Sequence, residues 1–135
     1  MTKRIGVLAA LAASVVAAAL PMGSAAAPVQ NHLSIETNAQ WNHGFAGIDV
    51  QLHVSCDGGF SGFVNVQVSQ SPPENQFPTM GGGGTSVLCD GRQHQVAVNV
   101  GGGGFDVGKA FAVATLCTPF GCPMATASKT INITF

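Results

Sequence analysis

The chain has 135 residues, of which only 8% are charged and 46% are hydrophobic, and its formal net charge is −1. Five basic residues provide no footprint for neutralising phosphates, so nucleic-acid binding is excluded. The combination of many apolar residues with little net charge also excludes an intrinsically disordered chain.

The N-terminal segment has the layout of a secretory signal peptide. Two basic residues precede an apolar, alanine-rich stretch at 5–20, and small residues follow. We place cleavage after Ala26, because Ser24 and Ala26 then put small residues at both recognition positions. The stretch of about 16 residues is shorter than the ~20 that span a bilayer, which argues against an N-terminal membrane anchor. The sequence therefore predicts a signal peptide at 1–26, one domain at 27–135, and a secreted, extracellular protein.

The mature chain is more acidic than the whole. Two of the five basic residues leave with the signal peptide, so three remain against six acidic residues and the net charge becomes −3. This balance disfavours binding to anionic lipid surfaces. No second hydrophobic span follows, so we expect no membrane span after cleavage.

Strict alternation of apolar and polar residues runs through the mature chain and predicts β-strands. Ile48, Val50, Leu52 and Val54, for example, share one face of a strand. Residues 111–116 are apolar on both faces, which predicts a central, well-covered strand. Seven strands are expected, at residues 32–36, 48–56, 62–69, 85–89, 93–100, 109–117 and 126–135.

Turn-forming groups separate these segments, and no stretch has a sustained helical period. Short strands at this spacing predict an all-β fold, a seven-stranded antiparallel immunoglobulin-like sandwich with two disulfides. A small closed barrel is the alternative. The two four-glycine runs, at 81–84 and 101–104, are expected in loops at one end. The first run lacks the lysine and the helix of a phosphate-binding loop, so we expect it to be a flexible loop.

Four cysteines, Cys56, Cys89, Cys117 and Cys122, follow the signal peptide. An even number in a small exported chain predicts disulfides. In the immunoglobulin layout all four lie at one end of the sandwich, opposite a looser, glycine-rich end. Three pairings are possible. We favour Cys117–Cys122, whose enclosed Pro and Gly suit a tight turn, together with Cys56–Cys89; Cys56–Cys117, with the spacing of an antibody-domain bridge, is the runner-up.

A segment that includes Cys56, the run at 64–70 and the Cys-Asp-Gly-Arg-Gln-His motif at 89–94 resembles a family of small secreted actinobacterial immunoglobulin-like β-sandwich proteins. The later residues at 105–110 and 117–122 fit the same pattern. The resemblance covers most of the mature chain and implies no particular activity.

The chain also resembles, more distantly, the neocarzinostatin-type apoproteins, which carry enediynes. These are secreted seven-stranded sandwiches with two disulfides, one of which closes a Cys-x4-Cys loop like that between Cys117 and Cys122. Their other disulfide also closes a short loop, whereas Cys56 and Cys89 lie far apart in the sequence. This resemblance implies a small-molecule carrier only by analogy of fold.

The sequence predicts no metal site, no cofactor and no enzyme. Its histidines show no recognised ligand spacing, and the thiols are expected to be oxidised. Gly59-Phe60-Ser61-Gly62 is not a nucleophile elbow. Asp57 and Asp90 could form a carboxylate pair at the cysteine end, but an Asp before Gly is typical of a turn. The histidines in question are His32, His43, His53 and His94.

A candidate binding tip lies at the cysteine end. Phe60, Arg92 and Phe120 fall in its loops, and an aromatic side chain on a cross-linked loop loses little entropy on binding. The alternative is a packing role, in which Phe120 folds over the end of the sandwich. The outer faces are rich in amides and could hydrogen-bond glycans or simply be soluble; they carry Gln51, His53, Asn65, Gln67, Gln95 and Asn99.

These features predict a non-enzymatic recognition or structural module that uses the cross-linked loops to bind an extracellular or cell-envelope partner. A small-molecule carrier and a protease inhibitor that uses the 117–122 loop are the alternatives. The sequence does not specify an oligomeric state, although so few charges leave edge strands open to self-association.

Overall fold

A computed structural model describes residues 31–42 and 46–135. The predicted signal peptide at 1–26 and His43 lie outside these residues. The described part is all-β, and it contains no helix that is long and apolar enough to cross a membrane.

The described residues form eight strands, and their positions follow the alternation in the sequence with three differences. An additional strand follows the first predicted one, the strand predicted at 85–89 begins earlier, and the strand predicted at 126–135 also begins earlier. The strands are β1 (His32–Ile35), β2 (Asn38–Asn42), β3 (Gly47–Ser55), β4 (Phe60–Gln70), β5 (Thr79–Cys89), β6 (Gln93–Gly101), β7 (Gly108–Thr118) and β8 (Gly121–Thr134).

The strands form one sheet in the order β1-β3-β2-β8-β7-β4-β5-β6, and β6 also pairs with β3, so the sheet closes on itself. β1 and β2 share one edge of β3: β1 pairs with its last residues and β2 with its first. The β2–β8 pairing is parallel, whereas the other pairings are antiparallel. The prediction of a purely antiparallel sheet is therefore wrong here, because alternation reveals a strand but not the direction of its neighbour.

The core lies inside the closed sheet and confirms the alternation. Val64, Val66 and Val68 are buried, whereas Asn65 and Gln67 between them are exposed. The central strand β7 differs from its prediction on one face, since the ring of Phe111 is 48% exposed. The other large buried side chains include Ile48, Val50, Leu52, Val54, Val98, Leu116, Ile131 and Ile133.

The first glycine run, predicted as a flexible loop, is part of β5. Gly82 pairs with Gly101 of β6 and completes the ring of strands. A Cβ added at Gly83 would collide with the carbonyl oxygen of Asn99, and one at Gly81 would collide with that of Gly101. The glycines are therefore required because two backbones approach more closely here than side chains allow.

Candidate functional site at the cross-linked end

Two disulfides lie at the same end of the molecule, which we call the cross-linked end. Cys56 is bonded to Cys89, with a Cα–Cα distance of 4.5 Å, and Cys117 is bonded to Cys122, at 4.4 Å. This is the pairing that the sequence favours, and it rules out the Cys56–Cys117 bridge. A Cβ added at Gly62 would lie 3.2 Å from the Cys89 sulfur and 3.3 Å from the Cys117 carbonyl oxygen. The two bridges are therefore neighbours on either side of β4.

Backbone hydrogen bonds reinforce the Cys56–Cys89 bridge. The N–H of Gly59 donates to the Cys89 carbonyl at 2.7 Å, and the N–H of Gly91 donates to the Cys56 carbonyl at 2.8 Å. Gly58, Gly59 and Gly91 all have positive φ, which glycine adopts without strain. The turns after Cys56 and after Cys89 are thus held to each other by one covalent bond and two hydrogen bonds.

An aromatic pair joins the two disulfide loops. The rings of Phe60 and Phe120 meet edge to face, with centroids 4.9 Å apart and an interplanar angle of 67°. Phe60 is partly buried against the hydrophobic core, whereas Phe120 is 78% exposed. Phe120 therefore contacts Phe60 and still presents most of its surface to solvent.

The third residue predicted at the tip, Arg92, lies in the β5–β6 turn. Its backbone N–H donates to the Asp90 carboxylate at 2.9 Å, and its side chain is exposed. The Nε2 atom of His94 lies 2.7 Å from the same Asp90 oxygen. The hydrogen bond to His94, followed by that from Arg92, lowers the pKa of Asp90. The structure brings Phe60 and Phe120 into contact, but the described residues include no side-chain partner for Arg92.

The carboxylates at this end have structural partners. The N–H of Gly58 donates to the Asp57 carboxylate at 2.7 Å, and the Asp90 carboxylate accepts from the Arg92 N–H of its own turn. Both therefore act as turn residues in this structure. Within the described ranges, no group of three or more His, Cys, Asp or Glu side chains is arranged to hold a metal ion.

The outer face formed by β1, β3 and β6 carries amides and carboxylates that bind one another. His53 Nε2 and Gln95 Nε2 lie 2.9 and 3.1 Å from the same Glu36 oxygen. Asn99 donates to Asp49 at 3.1 Å, at the other end of this face. These polar groups stabilise the strand pairing, so they offer a glycan fewer free partners than the sequence indicates. Gln51 lies on this outer face as well, whereas Asn65 and Gln67 project from the outer face of β4.

Sequence reasoning missed a buried amide network at the opposite end, which we call the amide end. Gln70 is 2% exposed and Asn75 is 7% exposed. Asn75 Nδ2 donates to Gln70 Oε1 at 3.1 Å, and the Asp106 N–H donates to the same oxygen at 2.8 Å. The signal was present, because Gln70 continues the alternation of the buried valines of β4. This end was expected to be loose, but the network ties the loops at 71–78 and 102–107 together.

A shallow cleft of about 190 Å³ also lies at the amide end. Glu74, Lys109, the half-exposed Phe111 and the buried Gln70 are among the residues that line it. Pockets that hold drug-sized ligands have volumes of about 300–1,000 Å³. The cleft is therefore small for a carrier site, and it lies away from the tip.

Comparisons with known proteins are sparse. No protein-family model matches the chain, and no curated protein matches it. Among solved structures, it is similar to DesR, a β-glucosidase from Streptomyces venezuelae in complex with D-glucose, with 15% identity and a TM-score of 0.41. The match covers 75% of this chain but only 15% of the glucosidase. A similarity at this level carries no argument about fold or activity.

Proposed function

We propose that this protein is a secreted, non-enzymatic recognition domain that binds an extracellular or cell-envelope partner through its cross-linked end. The observation that carries the proposal is the Phe60–Phe120 pair, in which one ring is anchored and the other is 78% exposed. Exposed aromatic side chains are enriched at protein interfaces, where they bury a large area and lose few rotamers.

The rigidity of the loop supports this proposal. Phe120 lies between Cys117 and Cys122, and its N–H donates to the Thr118 hydroxyl at 3.3 Å. A loop that is already ordered loses less conformational entropy on binding than a free one. The small, open cleft at the amide end gives less support to the alternative of a small-molecule carrier.

We propose further that the domain is an immunoglobulin-like sandwich of residues 27–135, exported by a signal peptide at 1–26. The pairing of β3 with β6, of β4 with β7, and of β2 with β8 in parallel supports the sandwich, with β2 closing the corner between two layers. Oxidation of all four cysteines supports an extracellular location, because disulfides persist in oxidising compartments.

A capture experiment tests the tip. Wild-type protein and the variants Phe120→Ala and Arg92→Ala are immobilised and exposed to envelope and culture fractions of the host. We expect Phe120→Ala to reduce capture of the partner by about tenfold or more, as for a central interface aromatic. Phe77→Ala is the matched control, since Phe77 is 70% exposed but lies in the 71–78 loop at the amide end. Equal capture by Phe120→Ala and Phe77→Ala rejects the tip as the binding site.

A further inference from the structure

Among the described residues, one edge of β8 has no strand partner over most of its length. β8 pairs with β7 along one side, but on the other side it pairs with β2 only at Asn132, Ile133 and Thr134. No strand in the described part of the chain pairs with this edge at 123–131. An unpaired edge offers a row of backbone donors and acceptors to another strand.

The pairing with β2 shows which backbone N–H and C=O groups of β8 point towards this edge. The N–H of Asn132 points towards β2, because it donates to the Thr37 carbonyl at 2.7 Å. Backbone groups of alternate residues point to the same side of a strand. The N–H and C=O groups of Thr126, Ser128 and Thr130 therefore point away from β7, towards the free edge.

The usual protection of an edge is weak here. Lys129 is the one charged residue in β8, and its Nζ donates to the Ile35 carbonyl at 3.1 Å. The ammonium group is thus bonded across to β1 rather than projecting along the edge. Natural edge strands are commonly protected by charges, proline or bulges. Pro123 occupies one extremity of the free stretch, and no proline lies within 124–131.

We propose that the free edge of β8 pairs with the same edge of a second copy of this chain, antiparallel and centred on Ala127. The free stretch at 123–131 has Ala127 as its midpoint. Pairing about this point places Thr126 of each copy opposite Ser128 of the other, and both residues have outward-pointing backbone groups. These two symmetry-related pairs form four hydrogen bonds, because each outward residue both donates and accepts.

The charge of Lys129 and the position of the β2 pairing agree with this register. Lys129 faces Ala125 of the other copy, so like charges do not face each other. Residue 131 faces residue 123 of the other copy, and the pairing therefore ends where β2 begins to occupy the edge at Asn132. A shift towards Ser128 would bring the second copy's strand against β2. The register about Ala127 uses the whole free edge and leaves Asn132 paired with β2.

The proposed pairing also determines the distance between the binding tips of the two copies. In an antiparallel pair centred on Ala127, the two copies of Phe120 lie at opposite ends, about 14 residues or roughly 46 Å apart along the strands. The dimer does not depend on the binding role proposed for the tip, and each can fail without the other.

Sedimentation equilibrium of the disulfide-bonded protein, from about 1 to 100 µM, tests the pairing. We expect a concentration-dependent dimer. Ser128→Pro removes an outward N–H that the monomer does not use and should weaken dimerisation about ten- to hundredfold, since two hydrogen bonds are lost. Ser128→Ala keeps the N–H and should dimerise within about twofold of wild type. A wild-type monomer throughout this range, or equal dimerisation of the Pro and Ala variants, overturns the proposal.

Crosslinking tests the register without relying on a proline. At the midpoint, Ala127 of one copy faces Ala127 of the other in a non-hydrogen-bonded pair, with Cα atoms about 4.5 Å apart, which a disulfide can bridge. Mild oxidation should therefore convert A127C to a covalent dimer. T130C is the control, because its two copies would lie about 20 Å apart. Equal crosslinking of T130C and A127C, or none of A127C, contradicts the register.

Discussion

The two ends of this molecule are held by different interactions. At the cross-linked end, two disulfides fix short turns whose side chains face solvent, and Phe120 is the most conspicuous of them. At the amide end, longer loops close over Gln70 and Asn75, which are almost completely buried. Covalent bonds hold the loops that expose an aromatic ring, whereas hydrogen bonds hold the loops that bury amides.

This difference shows how a small domain can present an apolar side chain on a rigid loop. Turns as short as those at the cross-linked end bury little surface, so apolar packing contributes little to their order, and the disulfides restrict them instead. At the amide end, each buried amide is satisfied by several partners, so the network itself orders the loops. The two ends should therefore respond to different perturbations.

The largest expected effect is at the longer disulfide. Replacing Cys56 and Cys89 by Ser should lower the free energy of unfolding by about 3.5 kcal/mol, because the bridge spans 33 positions in sequence. The matched pair, Cys117→Ser with Cys122→Ser, spans 5 positions and should cost about 2 kcal/mol. Urea unfolding measures both values. A larger loss from the short bridge would contradict the loop-entropy explanation.

A slightly smaller effect is expected where β5 meets β6. Gly83→Ala should lower the free energy of unfolding by about 3 kcal/mol, because its Cβ would collide with the backbone of Asn99. Gly82→Ala is the control, since its nearest neighbour is a Val66 carbonyl oxygen at 3.6 Å, an ordinary contact. If thermal and urea unfolding show similar losses for both variants, the close approach of the strands is not what requires glycine.

A smaller loss of the free energy of unfolding is expected when the amide network is disrupted. Asn75→Ala takes the donor from the Gly104 carbonyl and one of two donors from Gln70 Oε1, which keeps the Asp106 N–H, and should cost about 2 kcal/mol. Gln76→Ala, an exposed amide in the same loop, should change the free energy of unfolding by less than about 0.5 kcal/mol. Hydrogen exchange should localise the Asn75→Ala effect to the amide end. Equal protection there in both variants would show that the network does not order these loops.

The smallest expected effect is on the pH dependence of the cross-linked end. The pKa of Asp90 is lowered by its hydrogen bond to His94, so this carboxylate stabilises the fold above its ordinary pKa. That contribution is lost as the pH falls through the lowered pKa. Melting temperatures measured between pH 6 and 2 should therefore fall less steeply for Asp90→Asn than for wild type. Asp57→Asn serves as the comparison, and identical profiles for Asp90→Asn and wild type would contradict the assignment.

Particular residues show how far sequence reasoning extends to the site. The alternation predicted where the strands lie, and Pro and Gly between Cys117 and Cys122 predicted their bridge. Phe60 and Phe120 were both expected at the tip because each falls in a loop at the cysteine end. Their mutual contact was not predictable, since 60 positions separate them and only the pairing of β4 with β7 brings their loops together. Gln70 was missed because a glutamine is normally exposed, and its burial depends on Asn75 and the loop before Gly108.

By itself the sequence determined the all-β class, the alternating core and the cross-linked end, because each follows from local periodicity or from an even set of cysteines. Only the tertiary structure decided how the sheet closes: the parallel β2–β8 pairing, the glycine strand against β6, and the free edge of β8. The reason is physical. Side-chain alternation is a property of one strand, whereas the choice of neighbour depends on the packing of segments far apart in the chain.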